Sequence, residues 1–325
     1  MKFALLGYGF MGGAHLAALQ RIEGVEVVAV ASRTRPSADG PARGNLDLAS
    51  GPLPETVHWT PDWREIVANT EIDAVDVCLP TDMHREVVLA ALRTGKHVLC
   101  EKPMGRNTAE CAEILDAAKR SDRTLMIGQV VRFMQAYRDG AEFVRQRAGK
   151  ITGCTLRRSA GYPDWGGWLT DDVRSGGAIL DLLSHDIDQA LHWFGVPKTL
   201  SAISMGPRDT MRGVLRYDGG LEVIVEGGWL EPDAKFSAGF EVEAGDERLV
   251  FAENHLVLHR GETSEEIALA EHDPYFDEVN YFVRCCREGL APEECMPEDS
   301  ARAVTLSLEL RASRDAGGKE IVWQA

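Results

Sequence analysis

The sequence lacks the close cysteine pairs that disulfide frameworks and zinc sites require. It has seven cysteines, an odd number, and none of them forms a CxxC pair. Such spacings indicate neither a disulfide scaffold nor a bound metal. Free cysteine is commonly a small buried side chain, so we expect free thiols in the core and a reducing, cytoplasmic location.

Long apolar runs and an excess of positive charge are also missing. No stretch approaches the ~20 uninterrupted apolar residues needed to cross a bilayer, so we expect no membrane segment. The chain has 35 Lys and Arg residues against 51 Asp and Glu residues, a formal net charge of −16. An acidic field of this size repels phosphate backbones, and the sparse basic cluster over residues 33–43 is too small to offset it. This argues against a nucleic-acid partner.

The N-terminal stretch MKFALLGYGFMGGAHLAAL allows two interpretations. It could begin a secretory signal peptide, or it could be a buried strand that runs into a glycine turn. Four glycines interrupt the apolar core that a signal peptide needs. We therefore interpret residues 2–6 as a first buried strand.

Strands alternate with helices along the first part of the chain. Apolar runs bounded by turn residues predict strands over 2–6, 25–31, 74–79, 97–99 and 125–128, and helices over 14–22, 84–94 and 108–120. The alternation is typical of βαβ units, so we predict an α/β fold with an N-terminal Rossmann domain, a doubly wound parallel sheet. Residues 36–61 are rich in Pro, Gly and Asn without a helical period, and we interpret them as a long loop.

After residue 149 the pattern changes to consecutive strands. Strands are predicted over 151–158, 199–205, 211–217, 221–229, 236–244, 247–252, 255–259 and 320–323, and helices over 179–194, 275–288 and 297–314. This order predicts a C-terminal α+β domain with a large, mostly antiparallel open sheet. We place the two domains over 1–124 and 125–325, and we expect the last helix, about 298–314, to pack back on the first domain.

The motif GYGFMG lies between the first strand and the first helix. Gly7 suits the tight turn, Gly9 lets the backbone approach a pyrophosphate, and Gly12 allows close packing of helix on strand. The N-terminus of the helix that follows would then direct its free N–H groups at the anion. A glycine turn without a ligand remains possible, but the strand context favours a dinucleotide site.

The end of the second strand bears on the choice of nucleotide. NAD sites often carry an acidic residue here, whereas this chain has Ser32-Arg33-Thr34-Arg35. Ser32 and Arg33 could receive a 2′-phosphate, so the sequence favours NADP and leaves NAD possible. The alternative is that both arginines are solvated loop charges.

Three further stretches carry polar residues suited to chemistry: LPTDMH at 79–84, CEKPM at 100–104 and GGAILDLLSHDID at 176–188. Asp181 and His185 are four residues apart in a predicted helix, so we expect both on one side of it. In isolation, Lys102 could be a solvated turn residue, and the Asp–His pair could be a surface pair.

These motifs, in this order, resemble the Gfo/Idh/MocA family of NAD(P)-dependent oxidoreductases over nearly the whole chain. The resemblance rests on the GxGxxG strand, the Pro-Thr turn that ends in His, the Glu-Lys-Pro motif and the GG…D…H…D helix. It departs from the family at Trp168-Leu169, where members usually have Trp-Arg, and in the irregular 36–61 segment.

The resemblance implies a role for each matching residue. Lys102, Asp181 and His185 correspond to the catalytic set, and Arg132 and Trp168 to further substrate contacts. The implied cofactor site comprises Gly7, Gly9, Phe10, Met11, Gly12, Ser32, Arg33, Leu79, Pro80, Thr81, His84, Glu101 and Lys102. No metal is implied.

The implied activity is hydride transfer between the nicotinamide and a secondary alcohol or ketone of a sugar, inositol or related polyol. Two alternatives remain: a glycoside-cleaving enzyme that recycles bound NAD, and a non-catalytic NAD(P)-sensing regulatory protein. The strand series over 199–259 has more apolar residues than one layer of helices covers, so we also expect a homodimer or homotetramer formed through the open sheet.

Overall fold

A six-stranded parallel sheet forms the centre of the first of two units. The computed structural model describes residues 1–36, 53–164 and 167–323. The first unit comprises Met1–Val130 and Asp273–Ala301, and the second comprises Val131–His272 and Arg302–Ala325. Among the described residues, no helix combines the length and apolar character needed to cross a membrane.

The sheet of the first unit has the strand order β3-β2-β1-β4-β5-β6, with every neighbouring pair parallel. The strands are β1 Lys2–Leu6, β2 Glu26–Ala31, β3 His58–Thr60, β4 Ala74–Val77, β5 His97–Glu101 and β6 Leu125–Gly128. This is the strand order of a Rossmann fold, whose ligands bind at the carboxyl ends of the strands, so the predicted doubly wound sheet is confirmed.

Five helices belong to the first unit: α1 Phe10–Leu19, α2 Trp63–Ala68, α3 Thr81–Arg93, α4 Thr108–Lys119 and α9 Pro274–Glu288. The predicted starts of α1 and α3, at residues 14 and 84, are too late, because these helices begin at Phe10 and Thr81. Their first turns lie within the glycine and Pro-Thr motifs, which the sequence pattern assigns to loops. It misses α2, a short helix capped by the Asp62 side chain. The predicted 36–61 loop contains β3, and its residues 37–52 lie outside the described residues.

The boundary between the units differs from the predicted one after residue 124. The strand β6 pairs with β5, so residues 125–128 complete the first sheet. The chain also returns to the first unit after leaving it, and α9 packs there against α1 and β5. The helix α10 (Pro297–Asp315) begins in the first unit and ends in the second.

The second unit is built on a nine-stranded sheet with the order β14-β13-β12-β11-β7-β10-β9-β8-β15. Its strands are β7 Ile151–Gly161, β8 Thr199–Ile203, β9 Thr210–Arg216, β10 Glu222–Leu230, β11 Ser237–Ala244, β12 Glu247–Ala252, β13 His255–Arg260, β14 Thr263–Ile267 and β15 Ile321–Val322. Only the β7–β10 pair is parallel among these described strands. The predicted, mostly antiparallel sheet is therefore confirmed.

Four helices of the second unit precede β8: α5 Gln135–Gln146, α6 Asp172–Ser175, α7 Gly177–Asp181 and α8 Ser184–Phe194. The prediction of one continuous helix over 179–194 is wrong, because Asp181 ends α7 and His185 lies in the first turn of α8. Leu182 and Leu183 keep right-handed helical dihedrals. The Leu183 N–H donates to the Ala178 carbonyl, five residues back, so the interruption is a local widening of the helical path.

The two faces of the second sheet have opposite character. Residues such as Leu156, Val223 and Phe240 are buried on the inner face. The outer face carries an alternating row of charges across five strands, formed by Arg212, Glu226, Arg157, Glu241 and Arg248. We call these five residues the charge row. The centre of this face therefore carries charge, and the expectation that copies associate through the open sheet stays a prediction.

Candidate active site

The glycine turn between β1 and α1 has the geometry that a bound pyrophosphate needs. Gly7 has φ +103°, and a Cβ there would lie 2.4 Å from the Cys78 carbonyl oxygen. A Cβ on Gly12 would lie 2.1 Å from the Gly7 carbonyl oxygen. Gly9 instead faces open space, with no atom within 4 Å of its Cβ position. The turn thus excludes side chains where it packs and is open where a ligand approaches.

The start of α1 fits the same ligand. Gly9 is its N-cap and supplies no side-chain hydrogen bond to the first turn. The first amides of a helix have no partner within the helix itself, and together with the macrodipole they favour an anion. The residues present therefore fit a dinucleotide pyrophosphate.

In the segment after β2, the Ser32 side chain is hydrogen-bonded within the turn, whereas the Arg33 side chain is exposed. The Ser32 hydroxyl donates to the Thr34 carbonyl at 2.8 Å and accepts from the Trp59 indole N–H at 3.1 Å. Ser32 therefore shapes the turn, and Trp59 on β3 fixes it. The side chain of Arg33 is exposed beside it. Of the two residues, Arg33 is the one available to a 2′-phosphate.

His84 ties together two loops at the carboxyl ends of β4 and β5. Its Nδ1 lies 2.9 Å from the Pro103 carbonyl oxygen, and its Nε2 lies 2.8 Å from the Leu79 carbonyl oxygen. Burial lowers the pKa of His84, although both carbonyls favour the protonated ring. Thr81, at the start of α3, is also buried. His84 therefore joins the backbone at the start of the Pro-Thr turn to the backbone of the Glu-Lys-Pro loop.

Lys102 follows β5 directly and lies at the same edge of the sheet as the glycine turn. Its side chain is half-buried. The Oε2 atom of Glu101 accepts the backbone N–H of Lys102 at 3.1 Å. The carboxylate of Glu101 thus fixes the backbone of the residue that the resemblance identifies as catalytic.

Asp76, His15 and Glu101 form a series of buried ionisable side chains in the first unit. We call these three residues the charge chain. Nδ1 of His15, on α1, lies 2.9 Å from the Asp76 carboxylate on β4, and its Nε2 lies 3.1 Å from Oε1 of Glu101. Burial lowers the pKa of His15, but the charges of Asp76 and Cys78 and their hydrogen bonds to the ring together outweigh it and raise the pKa well above its ordinary value. Burial in turn opposes ionisation of Glu101, and the contact with His15 lowers its pKa.

The sequence analysis missed His15 and Asp76. Both have fully buried side chains in elements that are otherwise apolar. A polar residue at a core position needs a partner, and that mismatch was the available signal. The pairing itself joins residues 61 positions apart, which no local pattern reveals.

In the second unit, the α8 segment carries two buried acids beside His185. Asp188 forms a bidentate pair with Arg132, at 2.7 and 2.8 Å. Asp186 forms a similar pair with Arg158, at 2.7 and 3.3 Å. The side chains of these four residues are almost fully buried. The pairs fix the orientation of α8, on which His185 is half-exposed.

The remaining predicted substrate residues lie in the same unit. Asp181 is half-buried at the end of α7, and Trp168 is half-buried before α6. The Leu169 carbonyl, where family members usually have arginine, accepts the Ser175 hydroxyl at 2.8 Å. The guanidinium of Arg132 is bound to the Asp188 carboxylate. A role for Arg132 as a substrate contact therefore stays a prediction.

A cavity of about 470 Å³ lies elsewhere in the first unit, beside the amino ends of β4 and β5. Its walls include Ile72, Lys96, His97, Arg123, Cys286 and Arg287. Ligands of doubly wound sheets bind at the carboxyl ends, so this cavity is separate from the nucleotide turn.

Comparison with known families identifies the family of this chain. Residues 1–129 match the oxidoreductase family with an NAD-binding Rossmann fold, GFO/IDH/MocA, and residues 142–249 match the GFO/IDH/MocA C-terminal domain. The chain belongs to this family. It is an NAD(P)-dependent oxidoreductase with the family's two-domain arrangement.

Two relatives from curated proteins match much of the chain. The D-xylose 1-dehydrogenase (NADP(+)) 2 of Haloferax volcanii is 28% identical over 77% of this chain and 75% of its own. The scyllo-inositol 2-dehydrogenase (NADP(+)) of Bacillus subtilis is 27% identical over 96% of both chains. Among solved structures, the aldose-aldose oxidoreductase of Caulobacter crescentus, complexed with glycerol, has a TM-score of 0.84 at 19% identity over 99% of both chains. That likeness supports the fold.

Proposed function

We propose that this oxidoreductase transfers hydride between NADP and a secondary alcohol or ketone of a sugar, inositol or related polyol. The observation that carries the proposal lies in the first unit. The open glycine turn after β1 and the Lys102 segment after β5 share one edge of the sheet. The names of the xylose and scyllo-inositol relatives support the substrate class.

The residues divide the chemistry as follows. A nicotinamide dinucleotide, held by the glycine turn at its pyrophosphate, would supply the hydride acceptor for oxidation of the carbinol carbon to the ketone. Lys102 holds the substrate oxygen and offsets the negative charge that develops on it. His185, as the neutral imidazole, accepts the hydroxyl proton, and Asp181 orients the ring or a neighbouring hydroxyl. Glu101 lies near the nicotinamide ribose in this assignment, and Arg132 and Trp168 contact substrate.

NADP is the cofactor that the turn after β2 favours. Arg33 is exposed there, and no carboxylate occupies residues 32–35 to repel a 2′-phosphate. The printed names of both curated relatives include NADP(+). NAD remains the second cofactor to be measured in parallel.

Two further assignments belong to the proposal. Seven free cysteines, five of them buried, are typical of a reducing compartment, so we assign the enzyme to the cytoplasm. The outer face of the nine-stranded sheet, with its charge row, is the surface we assign to a homodimer or homotetramer.

The test is a substrate screen. The purified protein is mixed with a panel of aldoses, ketoses and cyclitols, with NADP and NAD in parallel, and reduced cofactor is followed by absorbance. We expect turnover of at least one polyol and a loss of about 10²- to 10³-fold in Lys102→Met, the usual cost of losing one such donor.

The matched control for that variant is Lys119→Met, which removes an exposed lysine at the end of α4. It should retain wild-type rates. No turnover of any polyol with either cofactor, or equal activity in Lys102→Met and wild type, would contradict the proposal.

A further inference from the structure

Glu278 is a buried acid that the proposed reaction does not use. It lies on α9, on the same face as the buried side chains of Tyr275 and Phe282. Its side chain is fully buried, and neither carboxyl oxygen has a well-formed hydrogen bond within the described residues. A buried carboxylate without partners is costly, so this residue needs a physical explanation.

The side chain of Glu278 is directed at the end of the charge chain described above. One ligand-type atom from each of His15, Glu101 and Glu278 lies within 4.8 Å of the others. The Cβ position of Gly128, at the end of β6, is 3.5 Å from Oε1 of Glu278 and 3.6 Å from the Glu101 carboxyl carbon. Both acids therefore lie within ordinary contact distance of one point beside Gly128.

The groups facing Glu101 come from every neighbouring element. These groups are His15 from α1, Asp76 from β4, Cys78 directly after β4, His84 from α3, Glu278 from α9, and Lys102, the next residue along the chain. Among them, His15 is the buried cation, and it lies between Asp76 and Glu101. One imidazolium balances one of these carboxylates, so a third ionised acid would leave a large unbalanced buried charge.

Protonation of Glu278 resolves that imbalance. Burial, and then the negative charge of Glu101, raise the pKa of Glu278 well above its usual range, and the charge of His15 and the backbone N–H of Gln129 only partly offset them. The neutral acid then has an O–H to donate, and Glu101 is the nearby acceptor. Two carboxyl groups that share one proton are a known solution when like charges are close.

We propose that His15 and Glu278 are positioning residues for the Glu101–Lys102 segment, with Glu278 as a neutral acid whose O–H donates a hydrogen bond to Glu101. His15, held by Asp76, fixes Oε1 of Glu101, and Oε2 in turn accepts the Lys102 backbone N–H. The set therefore determines where Lys102 leaves β5. The catalytic part of this role rests on the proposed function.

The first experiment separates a neutral acid from a charged one. Glu278→Gln replaces the acid with a neutral amide of similar shape that can still donate, whereas Glu278→Met removes the donor. We expect Glu278→Gln to stay within about twofold of wild type in kcat and in the Kd for NADPH, measured by fluorescence. Glu278→Met should lower kcat by about 10- to 100-fold, because small misplacement of a catalytic group has that cost.

The control is Glu142→Gln, an exposed, ion-paired glutamate on α5 in the second unit. It should be as active as wild type. Equal impairment of Glu278→Gln and Glu278→Met would overturn the proposal, because it would mean that the negative charge is required. So would about one equivalent of tightly bound divalent metal in purified wild type that is absent from Glu278→Gln, since His15, Glu101 and Glu278 would then be metal ligands.

An infrared measurement on wild type needs no variant that could misfold. With ¹³C-labelled glutamate, we expect a buried protonated-carboxyl band at pH 8 that shifts with the label. Its absence at that pH would overturn the neutral-acid assignment.

The second experiment tests His15 through cofactor binding alone. His15→Gln removes the cation beside Glu101, so Glu101 should take up a proton at higher pH than in wild type. We expect the affinity of His15→Gln for NADPH to fall about tenfold or more between pH 8 and pH 6. This is the effect of losing one charged hydrogen bond, here the one that ionised Glu101 would accept from the nicotinamide ribose. Wild type should change much less.

A uniform loss of affinity in His15→Gln at both pH values would indicate a merely structural residue and overturn the positioning role. NADPH binding requires no polyol. If binding follows this pattern but no polyol is turned over, the proposed function fails and the positioning of Glu101 stands.

Discussion

Gly12 lies so close to Gly7 that a side chain on Gly12 would collide with the backbone of Gly7. The Cβ position of Gly12 is 2.1 Å from the Gly7 carbonyl oxygen, whereas that of Gly9 is in open space. Two glycines of one motif therefore serve different purposes. One allows α1 to pack on the turn, and the other leaves room for the ligand.

This difference predicts that Gly12→Ala and Gly9→Ala fail in different assays. Gly12→Ala should destabilise the first unit by about 3 kcal/mol or more, because the new methyl group meets backbone that cannot rotate away. Gly9→Ala should leave the melting temperature nearly unchanged and weaken NADPH binding by about tenfold or more. Thermal unfolding and NADPH fluorescence measure the two effects. A reversed pattern would mean that the motif's roles are assigned wrongly.

Arg33 is expected to determine the preference for NADP. Arg33→Ala should weaken NADP binding by ~1.5 to 3 kcal/mol, the value of a charged hydrogen bond, and leave NAD binding nearly unchanged. Titration calorimetry with both cofactors measures the difference. Arg64→Ala, which alters another exposed arginine of the first unit, is the control. Equal losses for NADP and NAD in Arg33→Ala would refute the preference.

His185 and Lys102 should act as a unit on the substrate oxygen. His185→Ala should lower turnover by about 10²- to 10⁴-fold and remove the acidic limb of the pH–rate profile, since protonation of the base stops oxidation at low pH. Combining it with Lys102→Met should cost much less than the product of the single effects. Steady-state kinetics of the four proteins tests this. Independent effects that multiply would contradict a shared point of action.

His84 should make the protein less stable at acidic pH. Because burial lowers its pKa in the folded state, the unfolded chain binds the proton more readily. The stabilisation is therefore complete above the unfolded pKa, ~6.5, and is lost as the pH falls from that value through the lower pKa of the folded state. Denaturant unfolding at pH 8 and pH 5 should show wild type losing more stability than His84→Gln.

The control for that comparison is His58→Gln, at an exposed position on β3. It should follow wild type at both pH values. If wild type and His84→Gln lose equal stability between pH 8 and pH 5, His84 does not carry the dependence.

Local pattern predicted most strands of both sheets because strand signals here are short apolar runs with clear ends, but it missed β3 and β14. It failed where long-range contacts decide. The break between Asp181 and Ser184 leaves the helical sequence pattern intact, so no breaker residue marks it. The return of α9 to the first unit is likewise a property of tertiary packing.

The site shows the same division between local and distant information. The glycine turn and Glu101-Lys102-Pro103 are contiguous motifs, and the sequence alone predicts them. The set of His15, Asp76 and Glu278 brings together residues from α1, β4 and α9, and each looks like an ordinary polar residue in its own segment. Their buried positions in the fold are what make them a functional candidate.

The charge row of the second sheet reads Arg-Glu-Arg-Glu-Arg, so it is the same sequence of signs in either direction. Two copies of such a row laid face to face in opposite directions would place like charges together. A sideways offset of one strand, about 4.8 Å, would place every facing pair opposite in sign. Three arginines against two glutamates also make the row slightly positive in a chain whose formal net charge is −16. At that offset, the charge row would add attraction between two copies of a chain whose net negative charge otherwise favours their repulsion.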